Sequence, residues 1–179
     1  MARGGELKVE LANQEPEPPR ATASEEEERN KQLVRDLYEA LNDRRVEVVH
    51  RLLQPDVDWW FHGPRTGQHL MRHLTGQSGA AFEFVLENVE AFGSTVLVEG
   101  TGAAGDGYWV HAWTVGPDGV INRVREYFNT TLTVTKVGDG SASNKEASPA
   151  SVTHCLPVWQ SKPLLDKPRK SLPGLILAI

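Results

Sequence analysis

The stretch INRVREYFNT, Ile121 to Thr130, carries a carboxylate among the apolar and aromatic residues of a strand. Side chains alternate along a strand, so Val124, Glu126 and Phe128 share one face with Asn122, while Ile121, Arg123, Arg125 and Tyr127 share the other. Glu126 thus stands on a mostly apolar face, and alternation alone leaves that face open to water, core or a pocket. His62 in DVDWWFHGP is a second candidate, because the histidine side chain ordinarily titrates near physiological pH and suits a general base. Strand alternation sets His62 with Asp58 and Trp60, opposite Val57, Trp59 and Phe61. His69 and His73 lie four apart in QHLMRHLTG, but an HxxxH pair without a placed third ligand is better read as surface histidines on a helix. No metal is assigned. The single cysteine, Cys155, precedes Leu-Pro and has no basic cluster nearby, so it is not read as a nucleophile.

The elements that must position these groups follow from periodicity. Residues 1–23, with LANQEPEPPRATAS, are rich in Pro and Glu and poor in large apolar groups, which predicts a disordered arm. Ser24 and Glu27 have capping-box spacing, and Leu33, Leu37 and Leu41, widened by Val34 and Tyr38, predict an amphipathic helix over Glu25–Leu41. Val46, Val49, Leu52 and Leu53 predict a second helix that stops before Pro55. DVDWWFHGP reads as a strand and TGQHLMRHLTG as a short third helix. FEFVLENVEAF, STVLVEGTG, GYWVHAWTV and GVINRVREYFNTTLTV then read as four successive antiparallel strands separated by turn signals. Helices followed by a strand meander predict an α+β domain over residues 24–137, with the helices on one face of a curved sheet. Residues 138–150 are a polar linker, and 151–179, ending LPGLILAI, form an apolar tail that packs on the domain or on a partner.

Composition narrows the partners. The chain has 179 residues, enough for one domain with a substantial core. Its net charge is −5 and its basic residues are scattered, which argues against a phosphate-contacting nucleic-acid surface. The apolar C-terminus falls well short of the about 20 residues that span a bilayer. The N-terminus lacks a secretory apolar segment, so the expected setting is reduced and cytoplasmic, with diffusion into the nucleus left open.

The helix pair ending LLQPDVDWWFHGPRTG, the short helix QHLMRHLTG and the meander ending DGVINRVREYFNT together resemble the SnoaL-like branch of the nuclear-transport-factor-2-like cone fold. More closely, NKQLVRDLYEALN, VDWWFHGP, HAWTVGPDGVI, REYFNTTLTV, VWQS and PGLILAI are similar to the plant wound-induced protein family, whose members are associated with wounding, senescence and other stress. The resemblance implies a curved antiparallel sheet enclosing a pocket, no cofactor, and an outer face used for homodimerisation. Carried over from the limonene epoxide hydrolases, it turns Val124, Glu126 and Phe128 inward and Arg123, Arg125 and Tyr127 outward. By the same register Trp60, His62, Glu99, Tyr108, Val110 and Ala112 are expected in the pocket wall with Leu97, which stands where those hydrolases have an arginine. Trp109, His111 and Trp113 then join the outer, dimer-forming face.

Two carboxylates in one dry pocket, Glu99 and Glu126, would titrate as a coupled pair and serve as acid and base. His62 offers an alternative base of the polyketide-cyclase kind. Against this stands a structural alternative, in which Glu126 and His62 bond to each other or to Tyr108 and only fix the cone's shape. The resulting expectation is a stress-associated, homodimeric protein that binds a small apolar or aromatic molecule. The alternatives are a cyclase, isomerase or epoxide hydrolase using Glu126 with Glu99 or His62, and a protein-interaction module with a vestigial pocket.

Overall fold

A computed structural model describes residues 22–77, 82–105, 107–137, 157–163 and 172–179. Helix α1 (Ala23–Asn42) opens with a capping box. Thr22 Oγ accepts from Glu25 N at 3.3 Å and Glu25 Oε2 accepts from Thr22 N at 2.8 Å. The cap therefore lies two residues before the Ser24/Glu27 pair that spacing suggested. Glu27 is engaged elsewhere, accepting from Gly93 N at 2.8 Å. Val34, Leu37, Tyr38 and Leu41 form the buried stripe of α1. Helix α2 (Val46–Leu52) passes directly into strand β1 (Leu53–His62), so the strand starts before Pro55 and includes it. Proline cannot donate to a ladder, and β1 tolerates it as an edge strand. Helix α3 (His69–Leu74) follows a short turn of 3-10 helix.

Strands β2 (Phe84–Phe92), β3 (Thr95–Gly102), β4 (Tyr108–Val115) and β5 (Ile121–Phe128) form an antiparallel meander, and β1 adds in parallel beside β5, giving the order β1-β5-β4-β3-β2. The expected final strand is two elements. Asn129, at φ 50, breaks it by entering the left-handed region, which asparagine tolerates better than most residues. Strand β6 (Thr131–Thr135) then leaves for a second, three-stranded sheet, between β7 (Pro157–Gln160) and β8 (Gly174–Ala178). Register shifts between Leu53 and Asp58 and between Leu86 and Asn88 bend the larger sheet.

Two cores result. The helix-facing core joins the α1 stripe to Trp59, Val96, Val98, Trp109, Trp113, Val124 and Phe128. On the opposite face, Leu97, Tyr108, Val110, Ala112 and Tyr127 pack against Leu132, Val134 and Trp159 of the second sheet. The tail segments thus close over the outer side of the sheet from which β6 departs. The expected linker and most of the N-terminal arm lie outside the described residues, as does Cys155. Among the described residues no helix is long and apolar enough to cross a membrane.

Candidate functional site

Glu126 lies mid-strand in β5 on the helix-facing side, 1% exposed. Antiparallel pairing sets His111 of β4 opposite it, and parallel pairing sets Phe61 of β1 beside it. The His111 Nε2 to Glu126 Oε1 distance is 3.2 Å, and Trp59 Nε1 donates to Glu126 Oε2 at 3.0 Å. From α1, the Tyr38 hydroxyl stands 2.6 Å from His111 Nδ1 and accepts from Trp113 Nε1 at 3.0 Å. An indole N–H only donates, so the Tyr38 oxygen accepts from Trp113 and its proton goes to His111 Nδ1. His111 then carries its hydrogen on Nε2 and donates it to Glu126, a carboxylate that accepts from two sides. The opposite tautomer would strand the tyrosine proton, and it is this bonding pattern that assigns the histidine. Burial raises the Tyr38 pKa well above its ordinary value, and the Glu126 charge adds to the rise against the Trp113 bond. Tyr38 is therefore neutral.

A hydroxyl, an imidazole and a carboxylate in line is the pattern of an activated nucleophile. Here the hydroxyl is already engaged at its proton and by Trp113, and aromatic rings close around it: Trp109 at 5.4 Å, Phe84 at 5.6 Å and Trp113 at 6.1 Å between centroids. The arrangement ties α1 to β4, β5 and β1. Trp109 Nε1 is the one buried side-chain nitrogen or oxygen with no hydrogen-bond partner among the described residues.

The expected two-carboxylate pocket is not formed. Glu99 pairs with Val110, which pairs with Tyr127, so Glu99 shares the outer face and Glu126 the inner one. The inward direction of Val124, Glu126 and Phe128 is as expected, but β1, β3 and β4 are reversed. Trp60, His62, Leu97, Tyr108, Val110 and Ala112 point outward, whereas Trp109, His111 and Trp113 are 1, 0 and 0% exposed in this chain's own helix-facing core and offer no outer surface. Directly opposed residues share a face, and a register displaced by one residue inverts an entire strand.

On the outer face, Glu99 accepts from the Tyr108 hydroxyl at 2.6 Å and from the backbone N–H of Lys162 at 2.8 Å, which pins the segment after β7. Burial, then the Glu99 bond, raise the Tyr108 pKa. His62 stacks on Trp60 at 6.0 Å and lies beside Tyr127, away from Glu126. Arg123 and Arg125 clamp Asp58 at 2.8 and 3.1 Å, and these bonds, Arg125 first, hold its carboxyl below the usual range. On α3, His69 stacks on Phe82 at 3.8 Å, and His73 Nε2 donates to Phe82 O at 2.7 Å.

Sequence reasoning missed Trp59 and His111 as partners of Glu126, and Tyr38 as the partner of His111. The available signal was donor supply: a tyrosine in a buried helix stripe and tryptophans on facing strands all need acceptors.

A cavity of about 610 Å³ lies between the end of α1, α2, the start of β1 and α3. Leu41, Val49, Leu53, Val57 and Leu74 supply apolar wall, and Arg44, His50, Gln54 and His73 supply polar groups. Its size is in the ordinary range for a small-molecule site. Burial lowers the His73 pKa, the Phe82 carbonyl opposes that, and the Arg44 charge lowers it further.

Fold and site define a helix-covered, mixed-sheet α+β protein with a sealed polar centre and a side cavity. The pattern of the wound-induced protein WI12 family matches residues 71–179, and the chain belongs to that family. It is 48% identical over 112 residues to "Senescence associated gene 20" of Arabidopsis thaliana, an alignment that covers 61% of this chain and 100% of that relative. It is 46% identical over 112 residues to "Wound-induced protein 1" of Solanum tuberosum, with the same coverage of 61% and 100%. Among solved structures, an LEH-like epoxide hydrolase of M. tuberculosis is similar at 23% identity and a TM-score of 0.46, covering 57% of this chain and 84% of that one. The family match begins inside α3, so α1, α2 and β1 lie outside it.

Proposed function

We propose that the protein is a cytoplasmic small-molecule-binding protein of the wound and senescence response and that it does not catalyse a reaction. The observation that carries this reading is the pairing of an apolar-walled cavity of about 610 Å³ with an interior in which Glu126, His111 and Tyr38 are satisfied by one another and by two tryptophans. A carboxylate already accepting on both oxygens is poorly placed to take a substrate proton. Native mass spectrometry against a plant metabolite extract tests the reading, with Val49→Trp in the cavity wall and Val46→Trp at its mouth, where Val46 is 56% exposed. A retained small molecule that these variants lose and Glu126→Gln keeps supports it. Loss confined to Glu126→Gln would move the site into the interior and reopen catalysis.

A second reading is homodimerisation through the outer side of β1 and β5. It is favoured by Trp60, 43% exposed, packed edge-on against Tyr127 at 5.6 Å beside the Asp58, Arg123 and Arg125 cluster. An exposed tryptophan flanked by arginines has the composition of an interface centre. Sedimentation of wild type and Trp60→Ser decides it: a dimer that the substitution dissociates supports the reading, and a monomer in both ends it.

A further inference from the structure

Helix α1 closes with Arg45 N donating to Ala40 O at 2.8 Å and Arg44 N to Leu41 O at 3.2 Å, and Arg44 stands at φ 55. This is the closure in which glycine is the default, because a side chain on a left-handed residue crowds the following carbonyl. An arginine here is an unfavourable backbone choice, and such outliers concentrate where a side chain serves a function. Its surroundings suggest which one. Arg45 next to it is spent on Glu39 at 2.8 Å and Asp43 at 3.4 Å. Arg44 has no ion pair or side-chain hydrogen bond among the described residues, and it lines the cavity, whose described wall residues include no aspartate or glutamate. His73 donates its Nε2–H to the Phe82 carbonyl, so that donor is already engaged.

Arg44 is exposed at the rim of this largely apolar wall, where its guanidinium is free to form a charge-assisted pair with an anionic ligand. A single planar fork matches one carboxylate, whereas a phosphoryl group, with close to two charges, calls for more than one cation. We propose that the cavity takes an apolar monocarboxylate, with its hydrocarbon or aromatic body against Leu41, Val49, Leu53 and Leu74 and its carboxylate on Arg44. This rests on the small-molecule reading above and names the ligand class of that cavity. Because Arg44 precedes residue 71, the anion selectivity belongs to a part of the chain outside the family match.

The test is calorimetric titration of the full chain with decanoate and with 1-decanol, two ligands of equal apolar length that differ in the head group. The expected result is decanoate bound at least tenfold more tightly than decanol by wild type. Arg44→Gly should bind both with decanol's affinity, and Arg44→Lys should recover only part of the preference. Arg44→Gly should melt no lower than wild type, since glycine relaxes the left-handed position, so its lost preference would not reflect misfolding. Equal wild-type affinities for the two ligands, or a preference that survives Arg44→Gly, overturns the carboxylate assignment and leaves the cavity reading intact. Binding of neither ligand by wild type overturns both.

Discussion

Replacing Tyr38 with phenylalanine removes one oxygen and leaves the ring, which makes it a clean probe of the sealed centre. The lost hydroxyl is the acceptor for Trp113 Nε1–H and the donor to His111 Nδ1, both side chains being 0% exposed. Neither atom has a substitute partner among the described residues, and changing the histidine tautomer replaces an unpaired acceptor with an unpaired donor and also gives up the bond to Glu126. An unsatisfied buried group costs about 1–3 kcal/mol, so two of them should cost about 2–6 kcal/mol. Against a typical total stability of about 5–15 kcal/mol, that is a large fraction. Ring stacking on Trp109 at 5.4 Å and the edge contact with Phe84 at 5.6 Å are retained, so the loss is assignable to hydrogen bonding. Urea unfolding followed by tryptophan fluorescence measures it, with Tyr127→Phe as the control. The Tyr127 hydroxyl has no hydrogen bond among the described residues and its loss should stay within about 0.5 kcal/mol. If Tyr38→Phe is equally mild, the network does not hold α1 to the sheet.

All three tyrosines, Tyr38, Tyr108 and Tyr127, are held above the ordinary tyrosine pKa, chiefly by burial. A raised folded-state pKa gives stability that is present below the unfolded value and lost as pH rises. The native protein should therefore show no tyrosinate absorbance at about pH 10, the unperturbed value. Above it, stability should fall by about 1.4 kcal/mol per pH unit for each strongly raised group; tyrosinate appearing gradually without unfolding would contradict this. Asp58 has the opposite sign, with a depressed pKa whose contribution is lost as pH falls through the folded-state value. Carboxyl NMR should find it below the normal aspartate range and moving upward in Arg125→Ala; an unchanged value removes the pair. Gly100→Ala would place a Cβ 2.0 Å from the Val85 carbonyl oxygen and 2.6 Å from the Trp109 ring, and should cost about 1–3 kcal/mol in the same urea assay. A neutral result would mean that β2 and β3 are not so closely apposed there. Glu99→Ala strips Lys162 N–H and the Tyr108 hydroxyl of their acceptor. Amide exchange should quicken at Leu132, Trp159 and Lys162 while α1 stays protected; uniform acceleration would make the two sheets one cooperative unit.

The order of helices and strands was readable because α1 and β5 each expose one side. Val34, Leu37, Tyr38 and Leu41 repeat at helical spacing, and Arg123 and Arg125 mark the outward face of β5. Strands β3 and β4 gave no such mark. VLVEG and YWVHAW are buried on both faces, one by α1 and the other by the second sheet, so they read as continuous apolar runs without a period of two. Neither strand therefore marks its inward side, and the facing that the family resemblance implied is inverted in the structure. Trp59 and Trp60 posed the same problem in β1, where adjacent identical residues point to opposite sides. The second sheet was hidden for a related reason: β7 and β8 are four and five residues long, and only pairing with β6 gives them a place. The cavity was hidden because its wall joins the ends of four elements.

On the proposed function, small molecules bind between α1, α2, β1 and α3, while the Tyr38, His111 and Glu126 centre stays closed. Titration of methyl-labelled protein with decanoate, followed by NMR, tests it most directly. Saturable shifts are expected at Val49, Leu53, Val57 and Leu74 and none at Val98 and Val124, which lie 0% exposed in the interior. Shifts led by Val98 and Val124, with the cavity methyls unmoved, would contradict it.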